Sequence, residues 1–348
     1  MKAAVRHEFG TPEVIRIEEH PTPTPTDDEI LLRVRATSLN LGDWELLTGD
    51  PPYITVLATM FAPKPRVVPP TPAGYRFIGR KRRGFLKTRF KILGADIAGQ
   101  VEAVGRNVTR FQPGDEVFGD CGMSGFGGLA EYVCLGEKSV LARKPASLSF
   151  EQAAAIPQAA AIALMGMRDL GQVRAGHKVL INGGGGGAGT FAIQLAKLYG
   201  AEVTAVDGPT KQEMMRRVGA DHVLDYTRED FTRNGERYDV LLDMAAHRTV
   251  FESRRSLTPD GIYLMAGGSG TATWQSAILG PLLSRFGNGR IKFLLADFRR
   301  EDFEYMVELF EAGKVEPVID RSYPLEQAAD ALQRIGDKLG LGKVIVTC

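Results

Sequence analysis

Cysteine is scarce in this 348-residue chain, and the patterns in which it does chemistry are missing. The three cysteines, Cys121, Cys134 and Cys348, form no C-x-x-C pair, and their spacing suggests neither a disulfide framework nor a zinc cluster. Five scattered histidines include no H-E-x-x-H. No apolar stretch approaches the roughly 18 residues that cross a bilayer. The N-terminal MKAAVRHEFG lacks the apolar core of a secretory signal, so a reducing cytoplasm is the expected location. A strong charge of one sign is absent too: formal net charge is +1, which gives no whole-molecule field for nucleic acid. Locally, acidic residues vanish. From Pro51 to Ala95 there is none, against ten Lys or Arg, so the rest of the chain is net acidic.

What is present is a globular composition, 44% hydrophobic and 24% charged, on a chain long enough for two domains. The first 140 residues read as β-rich. Short alternating runs such as EILLRVRATSL, GQVEAVG, DEVFGD and AEYVCLG are divided by Gly, Pro and Asp turns. HPTPTPTDDE is a Pro-Thr loop between two of them, and RNVTRFQPGDEVFG carries a P-G-D turn. Then the style changes. Glu151 to Met167 is Ala-rich and helical in period, with Pro157 kinking it or starting a new helix. Strands and helices alternate from there: HKVLIN, AEVTAVD, DHVLDY, YDVLLDMA and GIYLMAGG are the strands, TFAIQLAKLYG and KQEMMRRVG two of the helices. That alternation means an α/β fold with a doubly wound parallel sheet over 141–305. The segment 306–348 returns to another style and ends in the strand GKVIVTC.

LINGGGGGAGTF carries five consecutive glycines at 183–187. A glycine run alone is often a flexible spacer. Here a buried strand enters it and an amphipathic helix leaves it, the context that gives the motif meaning. The frame Gly184-x-Gly186-x-x-Gly189 fits a dinucleotide turn. The first glycine permits a tight turn, the second lets the backbone approach a pyrophosphate, and the third lets helix pack on strand. A helix opening at Gly187 and Ala188 aims free N–H groups and its positive dipole end at the phosphates. Asp207, eighteen residues past Gly189, can accept from adenosine ribose hydroxyls, which favours NAD(H). Lys211 can instead meet the 2′-phosphate of NADP(H). The competing reading makes the glycines packing residues and Asp207 a helix cap; the coincidence of strand, spaced glycines, helix and acidic strand end favours the cofactor. Ala266 and Gly267, closing GIYLMAGG, are assigned to the cofactor as well.

MKAAVRHEFGTPEVIRIEE, VRATSLNLGDWELLTG, ILGADIAGQVEAVGRNVTRFQPGDEVFGD, GFGGLAEYV, LINGGGGGAGTFAIQLAK, VGADHVLDYTREDF and KVEPVIDRSYPLEQAADAL together carry a likeness. The chain resembles the medium-chain dehydrogenase/reductase superfamily, in its zinc-independent quinone-reductase-like branch. The resemblance spans nearly the whole length, with 51–90 poorly matched. It implies a GroES-like β-rich catalytic domain, 1–140 completed by 306–348, around an inserted Rossmann domain, with the active site in the cleft between them. Zinc-dependent members place a Cys where this chain has Asn40, and a His-Glu pair at Ala95-Asp96. Nothing like their four-cysteine lobe follows Asp120. Catalytic zinc needs three protein ligands and structural zinc four, so an enzyme without zinc is expected.

The implied reaction is hydride transfer from a nicotinamide to a quinone or α,β-unsaturated carbonyl, acceptors that spread the incoming charge themselves. The resemblance puts Asn40 and Asp43 at the nicotinamide end, with the Asn40 amide as donor to the carbonyl. A strand-end turn role for Asn40 and a helix-capping role for Asp43 stay open. Tyr53 and Tyr75 are candidate proton donors or packing aromatics. Tyr226 matches a tyrosine beside the cofactor in relatives, or is a core residue. Two departures stand out: relatives read GASGGVG where Gly184, Gly185 and Ala188 stand here, and Ile162-Ala163 replaces a Thr-Ala pair. The basic stretch ITVLATMFAPKPRVVPPTPAGYRFIGRKRRGFLKTRFK reads as a solvated lid, a lure for an anionic substrate, or a peripheral membrane contact through 64–91, with RNA binding last. A homodimer is the family's expected assembly. An aldehyde or ketone reductase, and a cofactor-binding redox sensor or membrane-associated protein with little catalysis, are the alternatives.

Overall fold

The structure, a computed structural model, describes residues 1–50, 90–285, 289–295 and 297–348. In chain order the strands are β1 (Lys2–Val5), β2 (Arg16–Glu19), β3 (Glu29–Leu39), β4 (Asp96–Val104), β5 (Glu116–Asp120), β6 (Tyr132–Gly136) and β7 (Val140–Arg143). Then come β8 (Lys178–Asn182), β9 (Glu202–Asp207), β10 (His222–Asp225), β11 (Tyr238–Asp243), β12 (Leu257–Met265) and β13 (Arg290–Phe293). β14 (Ile319–Pro324) and β15 (Lys343–Thr347) close the series. Two compact units result: Met1–Pro157 with Ile319–Cys348, and Gln158–Val318. Both divisions fall later than the expected 140/141 and 305/306. The reasons are physical. β7 pairs with β5 and so belongs to the first unit, while the amphipathic helix Arg300–Glu311 buries Phe303, Met306 and Leu309 in the second.

The first unit is built on β3. Its alternating EILLRVRATSL buries nearly every residue, because β3 is central: it pairs with β4, β6 and β15. The sheet order is β14-β15-β3-β4-β5-β7, with β6 on β3, and β1 and β2 make a separate hairpin. Ile30, Leu32, Val34, Ile97, Val101, Val117, Leu135 and Leu141 interdigitate on one side. Opposite them, Leu39, Leu46, Leu47, Phe90, Val344 and Val346 pack around helix α1 (Leu41–Thr48). Burial of such side chains stabilises by roughly 1.5–3 kcal/mol each. The segment 319–348 is thus part of the sheet rather than an appendage.

The second unit holds six parallel strands in the order β10-β9-β8-β11-β12-β13. β8 to β12 are the five runs read from the sequence, and β13 is a sixth. Their near-continuous apolar character is what a parallel sheet covered on both faces requires. From β8 the chain proceeds to β9 on one side, and later to β11 on the other, so the β8–β11 boundary is a topological switch point. Pro157 begins a helix, Pro157–Leu164, rather than kinking one. Helix α2 (Gly187–Leu198) lays Phe191, Ile193 and Leu195 inward.

Candidate functional site

The glycine run joins β8 to α2 at the switch point. The tight turn is made at Gly183, whose φ of +87° suits only glycine. This corrects the expected frame, which gave that task to Gly184. Gly183 and Gly184 both donate N–H to Val206 O of β9, tying the loop to its neighbour strand. A Cβ on Gly184 would meet Ala205 Cβ at 3.0 Å, so that glycine serves packing. At Gly189 a Cβ would fall 2.3 Å from Gly183 O: α2 needs glycine there to lie against the loop. Gly186, the N-cap of α2, is different. A Cβ there would meet only Gly183 O, at 3.5 Å, so the loop is open on that side. Gly186, Gly187 and Ala188 are half-exposed, and the first-turn N–H groups of a helix have no intrahelical acceptor. Open backbone, free N–H groups and a helix dipole make a cradle for an anion such as pyrophosphate.

Gly185 has its own cause. A Cβ there would lie 2.4 Å from Lys211 Cδ and 3.0 Å from Asp207 Oδ2. Lys211 and Asp207 have taken the space that a side chain at this point would need. Asp207 ends β9, accepting from Gly185 N at 3.0 Å and Gly208 N at 2.8 Å. Lys211 Nζ stands 3.3 Å from its Oδ1, and both side chains are mostly buried. The ring of Tyr226 is 62% exposed, which removes the core reading, and it lies beside Gly208. A flat exposed face at the Asp207 end of the sheet is a surface on which a base can stack.

Ala266 and Gly267 follow β12 and bond to the end of β11: Ala266 N and Gly267 N donate to Asp243 O, and Gly267 O accepts from Ala246 N. Because every strand is parallel, Gly183–Gly189, Asp207 and Ala266–Gly267 all lie at carboxyl strand ends. Sequence reasoning missed one polar group here. Asn182 Nδ2 donates to Asp243 Oδ1 at 2.7 Å and Tyr263 Oη to Oδ2 at 3.1 Å, bridging the ends of β8 and β11. Burial pushes the Asp243 carboxyl up to about 6, against those hydrogen bonds. The available signal was two polar residues closing apolar strands, HKVLIN and YDVLLD.

In the first unit, Asn40 links β3 to α1. Its backbone N–H donates to Asp43 Oδ2 at 2.9 Å, and Asp43 Oδ1 accepts from Gly94 N at 2.9 Å. Both Asp43 oxygens are therefore engaged by backbone, the helix-capping arrangement, and burial pushes this carboxyl up to about 6. The Asn40 side chain is half-buried and does something else: Nδ2 donates to Asp96 Oδ2 at 3.0 Å, and Oδ1 accepts from Lys343 Nζ at 2.6 Å. Lys343 also bonds Asp96 Oδ2 at 3.0 Å, with both side chains at most 3% exposed. Lys343 was not singled out in the sequence; a lysine opening the apolar strand KVIVT was its only signal. Among the described residues no group of three or more His, Cys, Asp or Glu is arranged for a metal ion. Tyr53, Tyr75 and the basic segment 64–89 lie outside the described residues. Ile162 is half-buried on the helix Pro157–Leu164.

Two family models match the chain: "Alcohol dehydrogenase GroES-like domain" over residues 26–146 and "Zinc-binding dehydrogenase" over 218–346. A chloroplast envelope quinone oxidoreductase homolog of Arabidopsis thaliana is 32% identical over 94% of this chain and 92% of that protein. An NADPH-dependent alkenal/one oxidoreductase, also chloroplastic and from Arabidopsis thaliana, is 29% identical over 99% of this chain and 79% of that protein. Among solved structures, the quinone oxidoreductase of Coxiella burnetii superposes with a TM-score of 0.83 at 26% identity, covering 100% of this chain and 99% of that one.

Proposed function

The chain belongs to the medium-chain dehydrogenase/reductase superfamily, in its quinone-oxidoreductase-like branch, and from that premise we propose that it is an NAD(P)H-dependent reductase of quinones and α,β-unsaturated carbonyls. The observation that carries the reading is the open glycine turn at the switch point, with Asp207 at the next strand end. In this reading the backbone of Gly186, Gly187, Ala188 and Gly189 holds the pyrophosphate, with Gly184 packed beneath it. Asp207 and Lys211 face the adenosine ribose, Tyr226 lies along the base, and Ala266 and Gly267 border the cofactor. When bound, the cofactor supplies a hydride. Asn40 donates to the acceptor's carbonyl oxygen, where negative charge develops. Asp43 holds the Asn40 backbone rather than exchanging a proton, and Tyr53 is the proposed proton donor. The test is oxidation of NADH and NADPH against a panel of quinones and enones; negligible turnover with every acceptor would sink the proposal.

NADH is the preferred cofactor in this reading, because a carboxylate closes β9; NADPH is admitted when Lys211 turns from Asp207 to the 2′-phosphate. Titration with each separately tests it. Asp207→Ala is expected to weaken NADH by about tenfold, the worth of one hydrogen bond to a charged group. A wild type that binds NADPH much more tightly contradicts the preference.

Zinc-independence is part of the same proposal. A divalent ion at Asn40 and Asp96 would have to sit against the fixed ammonium of Lys343, 3.0 Å from that carboxylate. Exhaustive dialysis against a chelator is expected to leave turnover unchanged.

A homodimer is supported by the second unit's surface. β13 pairs only with β12 among the described residues, and the helical stretch 270–283, which packs on β13, exposes Trp274, Ile278 and Leu282. Peripheral membrane contact through the basic segment 64–91 rests on its sequence alone; salt-dependent sedimentation with anionic liposomes tests it, and pelleting equal to a charge-neutralised variant rules it out. No helix among the described residues is long and apolar enough to cross a membrane, and a cytoplasmic location stays a proposal.

A further inference from the structure

A lysine buried at the start of a strand calls for a reason. Lys343 Nζ touches two groups, Asp96 Oδ2 at 3.0 Å and Asn40 Oδ1 at 2.6 Å. Asp96 Oδ2 also receives Ser38 Oγ at 2.9 Å and Asn40 Nδ2 at 3.0 Å. Stability is a poor explanation, since a buried ion pair is often matched or exceeded by apolar side chains of the same volume. Orientation is a better one. An ammonium only donates and a carboxylate only accepts. Of the two ways a planar amide can be turned, one alone suits both neighbours: Oδ1 toward Lys343 and Nδ2 toward Asp96. The pair therefore leaves Asn40 no choice of flip. One Nδ2 proton is used by Asp96; the second diverges from it by the amide's trigonal geometry and has no acceptor among the described residues. A cation on Oδ1 also draws electron density from the amide and strengthens the remaining N–H as a donor.

We propose that Lys343, anchored by Asp96, is a positioning residue that orients and polarises the Asn40 amide, so that its second N–H donates to the carbonyl oxygen of the acceptor. This rests on the role given to Asn40 above. The rival is a staple that merely ties β15 to β3 and β4.

The experiment uses the full-length protein with its preferred cofactor and the best quinone or enone. It records single-turnover rate, KM for acceptor, cofactor Kd and Tm for Asn40→Ala, the charge-neutral pair Asp96→Asn/Lys343→Met, and the triple variant. Asn40→Ala is expected to lower the rate about 100-fold, the usual effect of losing one oxyanion donor. The pair variant should be slower by about 10-fold or more with cofactor Kd and Tm near wild type, because it frees the amide while keeping it. The triple variant should be no slower than Asn40→Ala. If losses multiply, or the pair variant keeps its rate while Asn40→Ala is slow, Lys343 is a staple and the inference is overturned. If Asn40→Ala keeps its rate, the donor role itself fails. Should the pair variant not bind cofactor, Lys343→Met alone takes its place, because it removes the cation that polarises the amide: a rate loss without a change in Kd supports the inference, and a wild-type rate overturns it.

Discussion

A single methyl group at position 185 is enough to disturb the proposed cofactor end of the second unit. In Gly185→Ala the new carbon would stand 2.4 Å from Lys211 Cδ, so Lys211 must leave Asp207. Overpacking of this kind costs roughly 1–3 kcal/mol. Lys211 Cβ would also lie 2.8 Å away, so the rescue has to remove the whole side chain. The expected outcome is a lower Tm for Gly185→Ala and partial recovery in Gly185→Ala/Lys211→Gly; a double variant less stable than the sum of the two single losses contradicts the clash. The spacing of the glycines was legible in the sequence because it follows strand and helix geometry. The cause of Gly185 was not, since it depends on a side chain that only the fold brings near. Asp243 gives a second residue-level expectation. Its folded value of about 6 lies above the unfolded 3.8, so its contribution to stability is full below about pH 4 and lost as pH rises through 6. Relative to Asp243→Asn, the wild type should lose up to roughly 3 kcal/mol across that window, read from urea melts at each pH.

At the scale of elements, α1 depends on a residue far upstream. Arg6 is buried and donates to Phe90 O at 3.0 Å, to Leu47 O at 3.1 Å and to Leu46 O, satisfying carbonyls at the helix's C-terminal end. Burial pushes its guanidinium down to about 9. Arg6→Met keeps the stem and withdraws the guanidinium from Leu46 O and Phe90 O, while Leu47 O keeps its bond from Gly10 N; a buried group left unmet costs about 1–3 kcal/mol. A Tm lowered by several degrees is expected; an unchanged Tm would mean water replaces the guanidinium. Strands β8 to β12 were legible because a sheet buried on both faces needs unbroken apolar runs. β13, RIKF, alternates polar and apolar at the sheet edge and escaped for that reason. In the same way β15 was visible as GKVIVTC, while the use of its lysine was not, because that use is set by Asn40 and Asp96 across two other strands.

At the scale of the whole molecule, the exposed Trp274, Ile278 and Leu282 recur at four-residue intervals beside β13, which pairs only with β12 among the described residues. If the proposed dimer forms through this face, Trp274→Glu/Ile278→Glu is expected to give monomers in sedimentation equilibrium where the wild type gives dimers, with the cofactor still bound; a monomeric wild type or an unchanged mass overturns that assembly. The order of the chain carries a further consequence. β3 is hydrogen-bonded to β15, so the first unit's sheet is missing a central neighbour until residues 343–347 have been made. By then the ribosome has finished the whole of 158–318, a continuous segment able to fold while the earlier strands wait. Synthesis therefore runs ahead of assembly: the parallel-sheet unit is born first, and Asn40, made long before it, acquires its fixed amide last. A released fragment ending at Val318 should bind cofactor and resist protease over 158–318, while residues 1–157 are cut.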